Sequence, residues 1–517
     1  IIIPFPDKVL GKDKAQTFNL EFDSTDFANR LGNVWEISIP KLTHPENLNA
    51  YNLSLSIPNA FGRPAIISPL PVSQTPGPTY TVYRFKTADL LEKGISATFG
   101  QSQFFNFNLT YHLENPNIFP VRTNLALPPD TAFQKITLQT LLPEPESVSI
   151  DTDGNWLAAY LLFSKQTLTV TATGSAQIDL NPRQDFPKTE LANPSSYLSK
   201  KPFWEIDNPR IIELAQKLKT PQNIYSYIVN NFLYDYGRLS DENTRFGAAN
   251  ALDNPNSVIC MEFTDLFVAL SRAANIPARA VNGFAYTTNP ALRPLSLKKD
   301  VLHAWPEYFD NQRLIWVPVD PTWGNTTGGI DFFNHFDLNH IVFSIQGQDS
   351  SGPAPAGAYK TNETDSKDVQ IEFGSPINSL SQLDIRLKLP VTALAGVNIP
   401  GQIIVKNTGN VALYHQLINL TSNHFKLAAS SWEIPILPPF GSDTIDFQLP
   451  ATSWLDRFTD NLTVSSKLVS LNQSMALKPV YSLFFSKENL KYLGLILLSL
   501  GLLVIVIKLF YEKFHQD

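Results

Sequence analysis

Along this chain of 517 residues the spacing of apolar residues changes period twice, and that change limits the folds open to it more than any single motif. Trp35-Glu36-Ile37-Ser38-Ile39 and Phe105-Asn106-Phe107-Asn108-Leu109-Thr110-Tyr111 alternate apolar with polar, as strands with one buried face do. Gln166 to Thr173 reads the same way, with Leu168, Val170 and Ala172 on one face. Between about residues 207 and 277 the spacing becomes helical. Ile224, Tyr227, Ile228 and Phe232 form one stripe, and Phe263, Leu266, Phe267 and Leu270 another. Strand-like runs then return through Gln402 to Val411, Thr444 to Phe447 and Leu462 to Val464. At the usual size of about 100 to 200 residues per domain, three or four units are expected.

Composition excludes some functions. The net charge of −7, with Lys and Arg interspersed, leaves no basic stripe to follow a phosphate backbone, so nucleic acid is not an expected partner. The 39 prolines, set among short Val, Ile, Leu, Phe and Tyr runs, suit β domains joined by tight turns. Cys260 is the single cysteine, which rules out an intrachain disulfide scaffold. Asp151-Thr152-Asp153-Gly154-Asn155 has the opening spacing of a calcium loop but no Glu at the twelfth position, and reads as a turn.

The expected organisation is a multidomain α+β chain. An N-terminal β-sandwich region covers 1–190, with room for two modules, and a mixed core covers 200–345. A Gly/Ser/Pro-rich linker over 346–367 reads as a flexible hinge before an immunoglobulin-like β domain at 368–482. From Tyr492 to Ile507 every residue is apolar, Gly or Ser, which predicts a transmembrane helix over 490–511 with a short cytoplasmic tail, 512–517. Lys487 and Lys491 before the run nearly balance Lys508 and Lys513 after it. The sizes of the flanks then favour a single-pass cell-membrane protein with its N-terminal bulk outside. The start at Ile1 without Met fits removal of a signal peptide, and the sequons at Asn52, Asn108, Asn325, Asn362, Asn419, Asn461 and Asn472 fit export while also arising by chance in an Asn-rich chain.

Asn208-Pro209 and Thr220-Pro221 each supply a cap and a first-turn proline to a helix, and Asn275-Ile276-Pro277 stops the one that begins near Cys260. Cys260 therefore stands at a helix N-terminus, where unpaired N–H groups and the dipole favour a thiolate. Taken alone, a cysteine there is as readily a core residue. Downstream, His303 to Phe309 and Leu314 to Asp320 read as a hairpin. If Asp310 faces Arg313 across a two-residue turn, His303 faces Asp320 with Cβ atoms roughly 5 Å apart, the reach at which a carboxylate holds one imidazole nitrogen. The string His335-Phe336-Asp337-Leu338-Asn339-His340 offers metal-ligand types, but without a wider cluster a structural role is expected.

Arg245-x-Gly247-Ala248, Cys260-Met261-Glu262-Phe263-Thr264-Asp265-Leu266-Phe267, Leu270 to Arg279, His303-Ala304-Trp305-Pro306-Glu307 and Val319-Asp320-Pro321-Thr322 together resemble the transglutaminase-like superfamily. The resemblance covers roughly 200–345. It implies a papain-like fold, with Cys260 as nucleophile, His303 as general acid/base and Asp320 as its orienting partner. No cofactor or metal site is read from the sequence, and a calcium requirement is left open. Relatives often carry a small residue before the cysteine, where this chain has Ile259, a departure that bears on the acyl pocket. The chemistry so implied is thiolate attack on an amide carbonyl of a protein or peptide substrate, through a thioester. The Cys260 N–H is the expected oxyanion donor, with Tyr234 the upstream candidate for a second. The contrasting expectation is a surface binding or assembly protein that uses the same domain as a scaffold.

Overall fold

The structure is a computed structural model that describes residues 17–188, 190–239, 244–287, 293–294, 302–359, 367–483, 495–496 and 498–508. It is mostly β, with 40% strand and 18% helix. The chain divides into two units, residues 1–101 with 327–331 and residues 102–326 with 332–517.

In the first unit the strands Ala28–Leu31, Val34–Ile39, Ile95–Phe99 and Ile66–Ser68 lie in that order in an antiparallel sheet. A second sheet places Tyr80–Arg84 between Ser54–Pro58 and Ser73–Pro76. Ile37, Ile57, Tyr83, Phe85, Ile95 and Phe99 share one buried core.

The second unit opens with a β-sandwich. Ser102–Glu114 buries Phe105, Phe107, Leu109, Tyr111 and Leu113 on one face and pairs along its length with Thr167–Asp179. Gln134–Leu142 extends that sheet, and Ser147–Ile150, Trp156–Leu162 and Val121–Leu127 form a second. Asp151 closes the predicted turn by accepting from the Asp153 and Asn155 amides at 2.9 and 2.8 Å. Val369–Phe373 pairs with Ser102–Glu114, so residues just after 368 complete this sandwich rather than opening the C-terminal domain. That last domain packs Leu383–Lys388, Ile399–Asn407 and Ser442–Leu449 around a core shared with a five-stranded sheet, burying Ile403, Val405, Ile418, Leu420, Leu462, Val464 and Met475.

The mixed core lies between these in sequence. Asn208 and Thr220 cap the helices Pro209–Leu218 and Pro221–Asn231, accepting from the Arg210 and Asn223 amides. Ala248–Asp253 and Cys260–Ala273 follow, and Asn275 in the left-handed region at φ 62° ends the latter with its neighbour Ile276 donating back to Ser271 O at 2.9 Å. The sheet runs Ile315–Pro318, His303–Asp310, Ala278–Ala285, His340–Gln346, all antiparallel. His340–Gln346 is an edge strand whose backbone is met by two buried amides of the sandwich. Gln134 bonds both polar groups of Val342, and Asn155 both of Ile345, at 2.7 to 3.0 Å.

Several expectations are corrected. No helix among the described residues is long and apolar enough to cross a membrane. Residues 495–496 and 498–508 are helical, and the latter stretch runs roughly 16 Å at 1.5 Å per residue, about half a hydrocarbon layer. The rest of the expected span (490–494, 497 and 509–511) and the tail 512–517 lie outside the described residues. The predicted hinge is instead packed over 347–359. Gly347 and Ser350 carbonyls accept from the buried Arg272 and the half-buried Arg245, and the Gly347 amide donates to Asp153. Residues 360–366 lie outside the described residues. Asn325 turns inward and donates to Val229 O and Phe232 O, both at 2.8 Å, so its sequon is not presented as a surface acceptor.

Candidate active site

Cys260 is the first residue of its helix and is fully buried. The chain enters extended at Ile259, and the carboxylate of Glu262 turns back to accept from the Ile259 amide at 3.0 Å. The same carboxylate accepts from the Phe246 amide at 2.9 Å and from both terminal nitrogens of Arg238 at 2.9 and 3.3 Å. A buried negative charge in the first turn suits the helix dipole, and Arg238 supplies its counter-charge. One turn on, Asp265 accepts from Trp204 Nε1 and Arg245 Nε, each at 2.8 Å. Two buried acid–arginine clamps thus set the height and rotation of the helix that carries the thiol. Gly247, between them, has φ 86°, and a Cβ there would lie 2.9 Å from Phe203 Cα and 2.8 Å from Glu205 Oε1, which accounts for glycine in the Arg245-x-Gly247 pattern.

His303 opens the strand His303–Asp310 and is 1% exposed. Its Nε2 lies 3.0 Å from Asp320 Oδ2. The contact predicted from sequence is present, but the register that was to produce it is not. Asp310 pairs with Ile315 rather than Arg313, because Asp310 O accepts from the Leu314 amide, its side chain accepts from those of Gln312 and Arg313, and Leu314 takes φ 55°. The longer loop slips the pairing by about two residues. An even slip keeps every side chain on its face, so Asp320 meets His303 diagonally, from just past the end of the strand, at the head of the helix Pro321–Thr326. Asp320 Oδ1 accepts from the Trp323 amide at 3.0 Å, which fixes the carboxylate. The Trp323 and Trp305 rings lie nearly parallel to the imidazole, with centroids at 5.3 and 6.0 Å.

This leaves His303 Nδ1 buried with no nitrogen or oxygen partner among the described residues. Burial works against a charge on the ring, but Asp320, by charge and hydrogen bond, outweighs it, and interaction with the Cys260 thiol adds to the effect, so the pKa is pushed up to about 9. Burial likewise opposes the Asp320 charge, yet His303 and then His340 hold that carboxyl well below its ordinary range. Tyr234 is joined to the residues before the cysteine by a bridge with Val258, and its buried hydroxyl has no hydrogen-bond partner among the described residues. Burial first, then the neighbouring Cys260, pushes its pKa far up, so the hydroxyl stays protonated and able to donate.

Sequence reading missed His340 as a member of this group. Its Nε2 lies 3.4 Å from Asp320 Oδ2 and its Nδ1 2.7 Å from Asp337 Oδ1. The spacing Asp337-x-x-His340 was the available signal. Glu262, Arg238 and the role of Asp265 were also missed, since pairing across 20 or more residues leaves no local periodicity. Among the described residues, His303, Asp320 and His340 have donor types that would suit a metal, with ligand atoms within 4.8 Å of one another. Each close contact in the group joins a ring nitrogen to a carboxylate oxygen, and we read it as an ion-pair network.

The family model of the transglutaminase-like superfamily matches residues 211–321, a span that includes Cys260, His303 and Asp320. The chain carries a transglutaminase-like domain. A protein-glutamine gamma-glutamyltransferase of Pseudomonas aeruginosa is 30% identical over 124 residues, 22% of this chain and 18% of that protein, so the likeness spans under a fifth of that relative. Among solved structures, a cysteine protease candidate from Cytophaga hutchinsonii is 18% identical and covers 53% of this chain and 86% of its own, at a TM-score of 0.33. A CARDB domain from Pyrococcus furiosus is 16% identical over 19% of this chain and 88% of its own, at a TM-score of 0.16. Neither structural likeness is close enough to bear on the transglutaminase-like site, whose reading rests on its own geometry.

Proposed function

We propose that the transglutaminase-like domain is a cysteine acyltransferase or hydrolase that acts on amide bonds of protein or peptide substrates. One observation carries the reading: a buried imidazole is held by Asp320 through Nε2 while Nδ1 is left for the single thiol of the chain. In that arrangement His303 takes the Cys260 proton, the thiolate attacks the carbonyl carbon, and the imidazolium protonates the departing amine to leave a thioester. Water or a second amine then attacks the thioester and regenerates the thiol. The Cys260 N–H at the helix start and the Tyr234 hydroxyl are the proposed oxyanion donors.

A second reading is a non-catalytic scaffold, and the near-complete burial of Cys260, His303 and Asp320 favours it. Labelling with iodoacetamide separates the two. Rapid modification of Cys260 near neutral pH that is lost in His303→Ala supports the enzyme, and slow modification indifferent to His303 supports the scaffold. Mass spectrometry of protein substrates incubated with the purified chain then distinguishes transfer, seen as amine adducts or crosslinks, from cleavage.

A further inference from the structure

We infer that His340 is a positioning residue that carries a positive charge behind the triad and thereby limits how tightly Asp320 holds the proton on His303. The inference deepens the proposed function and rests on the role of His303 given there. Its basis is the pair of carboxylates on either side of one ring. At 2.7 Å from Asp337 Oδ1, Nδ1 must donate, and a neutral ring would then leave the lone pair of Nε2, which makes no hydrogen bond among the described residues, 3.4 Å from the anionic Asp320 Oδ2, an ion-pair distance. Only the imidazolium is favourable on both sides.

The groups around the ring agree with that charge. Asp337 approaches from the preceding loop, Asp320 from the head of the Pro321–Thr326 helix, and His303 from the neighbouring strand with its ring centroid 5.6 Å away. Trp305, Trp323 and Phe336 supply the remaining ring contacts, at 4.9, 4.6 and 4.4 Å, and carry no charge. Arg293 acts on Asp337 from beyond, and Cys260 and Tyr234 lie toward His303. Burial opposes the charge on His340, but Asp337 and then Asp320 overcome it and raise the pKa to about 9. The Asp337 carboxyl is held low in return.

The consequence is electrostatic. With His340 charged, Asp320 is shared between two cations, and His303 feels a weaker anion and a like charge within a ring's width. A base held less firmly protonated can both accept the thiol proton and give it to the leaving amine. Because the two imidazoles share one carboxylate, they titrate as a pair, in two steps whose apparent pKa values belong to both rings.

The test is the pH dependence of the iodoacetamide reaction at Cys260 in the full chain, from pH 5 to 11, for wild type and His340→Gln. The alkaline limb, where the imidazolium is lost, should move up by about 1 to 2 pH units in the variant, as expected for removing a like charge at this separation. A limb that stays in place or moves down overturns the inference, and a purely structural role would lower stability without moving it. Nitrogen NMR of the wild-type histidines at pH 7.5 covers the case of a variant that does not fold. Two protonated ring nitrogens on His340 are expected, and a neutral tautomer overturns the assignment. Zinc uptake by the wild type that is lost in His340→Gln also overturns it, since a ligating nitrogen carries no proton. If labelling is instead indifferent to His303→Ala, the proposed function fails while the NMR result still reads the charge on His340.

Discussion

Glu262→Gln removes one negative charge and one acceptor oxygen from the start of the cysteine helix with almost no change in shape. The wild-type carboxylate meets four N–H groups: two of Arg238, the Phe246 amide and the Ile259 amide. In the variant the amide nitrogen must face at least one of these donors, and Arg238, whose side chain is 14% exposed, loses its counter-ion. Breaking one half of a buried ion pair costs about 3 to 5 kcal/mol, and the partial exposure of Arg238 places this case near the lower figure. Since about 1.4 kcal/mol is a factor of ten, local opening should become roughly 100-fold or more frequent. Hydrogen–deuterium exchange of peptides covering Cys260–Ala273, under conditions where reclosing is fast relative to intrinsic exchange, reads that opening equilibrium directly. Exchange that changes by less than about threefold would refute the claim that this carboxylate anchors the helix, because the four bonds would then be worth no more than one exposed contact.

Stability should also depend on pH in a particular direction. The raised pKa values of His303 and His340 mean that their contribution is fully present below the ordinary imidazole value of about 6.5 and is lost as pH rises through about 9. The depressed Asp320 contributes above the ordinary carboxyl value of about 4 and loses its contribution as pH falls through its lowered one. Melting temperature should therefore fall between about pH 6.5 and 9.5, and Asp320→Asn should flatten the fall; an equally steep fall in the variant would show that other groups cause it. Gly247→Ala should lower the melting temperature of the unit by several degrees, through a positive φ and contacts under 3 Å that cost about 1 to 3 kcal/mol, and calorimetry showing no change would contradict the tight approach to Phe203. Asn325→Leu should destabilise by about 1 to 3 kcal/mol because the carbonyls of Val229 and Phe232 lose their donor, which urea unfolding can check.

Local signals were read well where they were strong. The caps at Asn208 and Thr220, the stop at Asn275-Ile276-Pro277 and the alternation through Phe105 to Tyr111 each name a backbone state that neighbouring residues impose. The hairpin was read with the right face and the wrong register, because parity follows from the two-residue period while loop length depends on Asp310 and a left-handed Leu314. Composition misled at residues 347–359, where small and polar residues suggest a free linker but backbone groups are bound by arginines distant in the chain. It misled again near the C-terminus, where an apolar run in the sequence did not become a helix of spanning length among the described residues.

By itself, the sequence determined the changes from two-residue to helical period, the place of Cys260 at a helix start, and the likeness that joined it to His303 and Asp320. Those are properties of spacing and of short motifs, which survive without knowing what packs against what. Only the tertiary structure decided that Asp320 is shared with His340, that Glu262 and Asp265 are clamped by Arg238 and Arg245, and that Gln134 and Asn155 secure the edge strand bearing His340. Such partners stand 20 to 208 residues apart in the chain, and a buried charge or edge amide is satisfied by whatever group the fold brings within about 3 Å, a choice that no local pattern encodes.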